Sequence, residues 1–223
     1  MNEVIGDLLP VAVGVAISPV PIIAAILMLF SAHAGGASLA FLVGWVVGLT
    51  VVVVAVTLLV DPVDDSTSAS PSTASSVLKI VLGAAAILLG VAQWRKRPRE
   101  GETAALPGWM AAVDTVGPGK ALGLGVLLSG VNPKNLTLCL SAGVMIGGGA
   151  LSTSATAVAI AAFVVLGSVT VAGPVVAYLV APERMRGPLD ELRGWLTAHN
   201  AVVMTVLLVV IGTTILGKGV AGL

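Results

Sequence analysis

Four consecutive residues near the middle of the chain, Asn132-Pro133-Lys134-Asn135, place two amides, a proline and an amine inside an apolar run. The run covers residues 121–149, and Lys134 is its only formally charged residue. A charge inside a membrane is costly, so such a residue marks a functional site by default. Lys134 would offer a cation, and Asn132 and Asn135 would offer neutral hydrogen-bonding groups. This set favours a substrate with an anionic or strongly polar part, or a lysine that changes protonation during transport.

Pro133 predicts a break in this run, because proline removes a backbone donor and disfavours helical geometry at the preceding residue. An unbroken helix of roughly 29 residues would be about 43 Å long, against about 30 Å of hydrocarbon. We therefore interpret the run as two half-helices that meet near mid-membrane. A break exposes amide donors, which attract anions, and carbonyl acceptors, which can coordinate cations or accept hydrogen bonds.

A second motif of the same form, Ser18-Pro19-Val20-Pro21, interrupts the first apolar run, residues 8–30, with Pro19 corresponding to Pro133. Two interrupted hydrophobic segments at corresponding positions of two halves are the best sequence indication of a transporter's binding site. The alternative is that Lys134 reaches the membrane surface and the prolines only shape the helices. The predicted substrate-binding residues are Ser18, Pro19, Pro21, Asn132, Pro133, Lys134 and Asn135.

Composition places most of the chain in a membrane. Of 223 residues, 57% are hydrophobic and 10% are charged, with a mean hydropathy of +1.07, whereas a soluble domain carries nearer 25% charged residues. The net charge is zero, and nothing suggests nucleic-acid binding. The single cysteine, Cys139, excludes an internal disulfide and a relay of paired thiols, and we interpret it as a small buried apolar residue.

The apolar runs predict an all-α polytopic membrane protein with six transmembrane helices, at about residues 8–30, 38–60, 77–94, 121–149, 155–180 and 201–217. Because each half holds an odd number of spans, the halves form two inverted three-helix repeats, with helices 1 and 4 broken at the proline motifs. We assign residues 1–94 to the first repeat, 95–120 to a basic loop and 121–223 to the second repeat. Gly44 and Gly48 share one face of the second span, which predicts close approach of another helix.

The polar segments between spans predict the orientation. Basic residues cluster in the loops after spans three and five, which places those loops in the cytoplasm and both termini outside a plasma membrane. The acidic segment 61–76 is expected to be a solvated loop rather than a cation site. Residues 109–116 are expected to form a short interfacial helix. Segment 183–197 is expected to form a short amphipathic helix on the membrane surface, with Pro188 at its first position.

Three stretches carry a resemblance to a known family: Ile17 to Ile23, Phe41 to Trp45 and Asn132 to Leu136. They resemble the GAP family, which covers peptidoglycolipid-addressing proteins and the related sulfolipid-1-addressing protein (Sap). The family is grouped with the lysine exporter (LysE) superfamily of six-span transporters. The resemblance covers nearly the whole chain. It implies export, or assistance to export, of a cell-envelope glycolipid or a small solute.

Two functions therefore stand at this point. The first is an exporter of a small polar or anionic solute, or of a glycolipid, that works by alternating access around the two breaks. The second is a non-transporting accessory protein of a separate glycolipid-export machine. An enzyme is disfavoured, because no span holds a nucleophile–base pair or a metal-ligand set. We expect no cofactor and no metal. The expected partners are membrane lipid, the substrate, and either a second copy or a lipid-export protein.

Overall fold

A computed structural model describes residues 2–60, 73–95, 97 and 116–223. Within them the regular structure is helical throughout, in agreement with the predicted all-α class. In chain order the helices are α1 Asn2–Ala16, α2 Pro19–Leu29, α3 Ala34–Leu59, α4 Thr73–Arg95, α5 Pro118–Val126, α6 Pro133–Gly147, α7 Thr153–Val180 and α8 Pro182–Val220, with a π-helical turn, Leu127–Val131, between α5 and α6.

Several of these helices are long and apolar enough to cross a membrane. Among the described residues four qualify alone: Ala34–Leu59, Ser76–Arg95, Thr153–Val180 and Pro182–Val220. The bent pair Val4–Ala16 and Pro19–Leu29 adds a fifth when it is counted as one span. A shorter apolar helix covers Pro118–Val131. The chain is thus an integral membrane protein with multiple candidate spans.

Glycines allow helices of the two halves to touch at backbone distance. A Cβ on Gly83 of α4 would lie 2.7 Å from the carbonyl oxygen of Gly212 on α8. A Cβ on Gly44 of α3 would collide with the backbone of Leu122 on α5, and one on Gly48 would collide with Ser129. The predicted close approach at Gly44 and Gly48 is therefore confirmed, and it fixes α3 against the second broken segment.

Helix α8 differs from the prediction. We expected a separate surface helix over 183–197 and a span over 201–217, but one continuous helix of 39 residues covers both. At 1.5 Å per residue it is about 58 Å long, so it extends well beyond the hydrocarbon. Pro182, rather than Pro188, occupies the first helical position, and Pro188 lies inside the helix.

The reason for this difference is packing at the first turns of α8. Leu189 and Leu196 are buried in the main core, which continues the apolar stripe of the transmembrane part. The guanidinium groups of Arg186 and Arg193 lie 5.7 and 5.9 Å from the ring centroid of Phe30, just after α2. Two leucines of the segment's apolar face therefore pack on protein, whereas Leu192 and Trp195 are exposed.

Two further predictions concern segments outside the described residues. The acidic loop was predicted over residues 61–76, of which 61–72 lie outside the described residues and 73–76 belong to α4. The short interfacial helix was predicted over residues 109–116, which lie outside the described residues except for Val116, which is not helical. Cys139 is buried in the main core, as expected. Helix α6 ends at Gly147, and Pro174 lies inside the continuous helix α7.

Candidate functional site

The first break separates α1 from α2 by a bend of 50°. Ser18 has extended backbone geometry, and Pro19 takes the first position of α2, where the missing amide hydrogen costs little. Ser18, Pro19 and Pro21 are all buried. The break leaves the carbonyl of Ala16 without its helical partner, and the hydroxyl of Thr170 on α7 donates a hydrogen bond to it. A side chain from another helix thus satisfies the exposed end of α1, as a membrane interior requires.

The second break begins with the π-helical turn, in which the amide of Asn132 donates to the carbonyl of Leu127 at 3.0 Å. Such wide turns occur frequently at functional sites. Asn132 leaves the helical region, as expected before a proline, and its Oδ1 accepts from the amide of Lys134 at 3.1 Å. The Nδ2 of Asn135 donates to the freed carbonyl of Leu128 at 2.8 Å. The two asparagines therefore stabilise the break from both sides.

Helices α1 and α6 bring the two breaks to one level. They pack antiparallel, because Gly14 lies against Leu138 and Gly149 lies against Val4. The first break lies about one helical turn, or about 5 Å, after Gly14, and the second break lies about the same distance before Leu138. The end of α1 and the start of α6 therefore meet at the same depth of the bundle.

Helices α3 and α7 close this level on the other sides. Gly167 on α7 lies against Val15 and Leu49, and Gly48, next to Leu49 on α3, lies against Ser129 of the π-helical turn. We call this level the central polar layer. Its polar members are Ser18, Ser129, Lys134, Asn135, Ser168 and Thr170.

Lys134 is the charged member of the central polar layer. Its side chain is buried, at 3% exposure, and in the described part of the chain its Nζ has no hydrogen-bond partner. The Oδ1 of Asn135 and the Oγ of Ser168 are also buried and unpartnered among the described residues. Unpaired buried polar groups destabilise a protein, so their presence requires an explanation. A bound ligand with hydrogen-bond acceptors would satisfy the amine and the hydroxyl, and a ligand donor would satisfy the amide oxygen.

A comparison with known protein families adds a decisive match. The family model described as Sap, sulfolipid-1-addressing protein, matches residues 8–221. The chain belongs to the Sap family. No curated protein and no solved structure matches it. The match includes both breaks, and it confirms the resemblance that the motif residues indicated.

The seven predicted binding residues of this Sap-family protein all lie at or beside the two breaks, and their role in binding stays a prediction. The structure brings Ser18, Pro19 and Pro21 to the level of Lys134 and Asn135, whereas Asn132 and Pro133 serve the start of α6. Sequence reasoning missed three hydroxyl residues, Ser129, Ser168 and Thr170, and it left Trp45 undecided. Trp45 is fully buried, and its Nε1 is unpartnered among the described residues. Two of these residues, Ser168 and Thr170, could have been noticed in the sequence, because they are polar residues inside the apolar run of α7.

Two cavities of this Sap-family protein lie away from the seven predicted residues. One, of about 290 Å³, is lined by residues from the ends of α3 and α6 and the start of α7. The other, of about 440 Å³, is lined by α3 and α7. Within the described residues no group of three or more His, Cys, Asp or Glu side chains could hold a metal ion.

Proposed function

We propose that this Sap-family protein exports a molecule with a polar or anionic part, either a small solute or a cell-envelope glycolipid, by alternating access around the two breaks. The observation that carries the proposal is the buried amine of Lys134, unpartnered in the described part of the chain, at the level where both broken segments meet. Five segments surround that level, so a ligand there would contact both halves of the bundle. The binding residues proposed are Ser18, Pro19, Pro21, Asn132, Pro133, Lys134 and Asn135.

Alternating access needs two halves that can exchange roles, and the contacts support an inverted repeat of six spans. Gly48 lies against Ser129, and Gly167 lies against Val15. Ser129 and Val15 each precede the proline of their own break by four residues. Helix α3, the second span, therefore contacts the π-helical turn of the fourth span. Helix α7, the fifth span, contacts α1 of the first span at the corresponding position.

Helices α4 and α8 support the same symmetry. Gly83 of α4 and Gly212 of α8 face each other. Gly90 follows Gly83 by seven residues, and Gly219 follows Gly212 by the same number. Gly90 lies against Val209, three residues before Gly212, and Gly219 lies against Ile80, three residues before Gly83. This reciprocal pattern is what a twofold rotation that exchanges the two helices would produce. Six spans in this arrangement also fit the lysine exporter superfamily that the resemblance implies.

The mechanism follows from the chemistry of the layer. Helix α6 begins there, and the positive end of its dipole adds to the amine of Lys134 in attracting an anionic group. No Asp or Glu lies between residues 116 and 182 to compete for that amine. Rocking of one repeat against the other would open the layer first to one side of the membrane and then to the other.

The test uses purified protein, without partners, in liposomes that contain a fluorescent sulfated glycolipid or an anionic solute. Transport is measured as the fraction of lipid that reaches a membrane-impermeant quencher, or as solute released. Because a hydrogen bond to a charged group contributes about 1.5–3 kcal/mol, Lys134→Met should slow transport at least about tenfold. The matched control is Lys120→Met, at an exposed position of α5, which should transport normally. Equal rates in both variants would refute the site.

An accessory role remains the second candidate, and one feature favours it. In the first half of α8, Leu192 and Trp195 are exposed, and the Trp195 ring stacks on His199 with centroids 4.8 Å apart. Exposed aromatic residues of this kind serve as anchors for partner proteins. If wild-type protein alone moves nothing, and Trp195→Ala abolishes co-purification with an export protein, the accessory role replaces transport.

A further inference from the structure

The two cavities described above lie on consecutive stretches of α3 and α7, and we treat them together as the α3–α7 crevice. The smaller cavity is lined by Thr57, Leu58, Val60, Ile146, Gly147, Leu151, Thr153 and Thr156. The larger is lined by Thr50, Val54, Ala157, Ile160, Ala161, Val164 and Val165. On α7 the lining recurs every three or four residues from Thr153 to Val165, and on α3 Thr50, Val54 and Thr57 do the same, so the cavities lie along one face of each helix. The helices touch where Leu49 meets Gly167, and the crevice begins about one turn from that contact.

The polarity of the crevice changes along its length. At the end of α3 and the start of α7 it is lined by three threonines, Thr57, Thr153 and Thr156. Towards the centre of the bundle the lining is aliphatic except for Thr50, whose hydroxyl already donates to the carbonyl of Val46 at 2.7 Å. The crevice therefore has a polar mouth and an apolar depth.

The dimensions fit one chain of a lipid. The lining of α7 runs from Thr153 to Val165, about 18 Å of helix at 1.5 Å per residue. One leaflet of the hydrocarbon is about 15 Å thick. The small side chains of Ala157 and Ala161 leave the space open, and both residues are exposed. Because α3 and α7 are candidate membrane spans, the medium at this opening is lipid.

We infer that the α3–α7 crevice binds an acyl lipid of the surrounding leaflet, with one chain between Thr50 and Val165 and its headgroup at the threonine mouth. Thr153 is the first residue of α7, so the positive end of that helix also faces the headgroup. The crevice stops short of the central polar layer, and its occupation does not require that the protein transport anything.

The test is photo-crosslinking in nanodiscs with a phosphatidylglycerol that carries a diazirine on one acyl chain. Labelled peptides are identified by mass spectrometry. We expect label on residues 50–60 and 153–165. Ala161→Trp would fill the apolar depth and lower that label about tenfold, because packed interiors leave no room for a chain. The control is Ala92→Trp on the exposed face of α4, which should label as wild type does.

Two further measurements complete the test. Thr156→Val keeps the shape of the mouth but loses a hydroxyl, and it should lower the label about two- to tenfold. Ala157→Phe repeats the blockage if Ala161→Trp does not fold, as judged by gel filtration. Equal labelling of all lipid-facing helices would overturn the inference. So would a loss of dimers in Ala161→Trp, because a second copy would then occupy the crevice.

Discussion

At the scale of single residues, the buried amine of Lys134 is unfavourable for stability, which agrees with the binding role proposed for it. Its Nζ is enclosed by the protein without a hydrogen-bond partner in the described residues. Helices α3, α6 and α7 contain no Asp or Glu, and Asp7, the acidic residue of α1 nearest to the first break, precedes that break by about three helical turns. Proteins tolerate such unfavourable groups mainly at functional sites, where a ligand completes the interactions.

This view predicts that Lys134→Met stabilises the protein. Methionine has a similar length and no polar group, so the variant removes the free-energy cost of an unpaired buried amine, about 1–3 kcal/mol. The midpoint of thermal unfolding in detergent, without added ligand, should rise. Lys120→Met, at an exposed position, should change stability by no more than about 0.5 kcal/mol. A lower midpoint in Lys134→Met would mean that the amine has a partner and that the site is structural.

At the scale of helices, the sequence predicted what local chemistry controls. Pro19 and Pro133 each start a helix, and both breaks lie where they were expected, because proline acts on its own neighbours. The close helix contact at Gly44 and Gly48 of α3 was likewise predicted, because their spacing alone places them on one face of the helix.

Features that depend on distant partners could not be predicted in the same way. Thr170 donates to Ala16 across 154 positions of the chain, and no local pattern indicates that bond. Leu189 and Leu196 have the same spacing whether they face lipid or protein, so only the position of α2 decides that α8 is continuous. That the hydroxyl of Ser168 is buried without a hydrogen-bond partner among the described residues follows from how α7 packs and not from its sequence.

The seam between α4 and α8 offers a prediction at this scale. A Cβ on Gly83 would lie 2.6 Å from the backbone nitrogen of Leu216, which cannot move without shifting α8. Gly83→Ala should therefore destabilise the protein by about 1–3 kcal/mol, the usual cost of overpacking. Gly123→Ala is the control, because a Cβ there meets nothing within 4 Å, and it should gain up to about 1 kcal/mol from helix propensity. Thermal unfolding of both variants in one detergent measures the difference.

At the scale of the whole molecule, contacts between distant helices indicate which helix ends lie at the same face of the bundle. Asp7 near the start of α1 forms an ion pair with Lys218 near the end of α8. Gly147 at the end of α6 lies against Val60, just after α3. At the other end of the bundle, Tyr178 near the end of α7 packs edge-on against Phe30. The ends of these segments therefore lie at two opposite faces of the bundle, as the proposed even number of crossings would require.

Labelling of single cysteines tests the resulting orientation. Cys139→Ala removes the only native thiol, and single cysteines then replace Gly6, Lys120, Glu183 or Ala221, all at exposed positions. Because basic loops stay in the cytoplasm, a membrane-impermeant maleimide should label positions 6 and 221 on intact cells. Positions 120 and 183 should react only after lysis. Labels at 6 and 221 on opposite sides would contradict an even number of spans, and protection of both on intact cells would reverse the orientation.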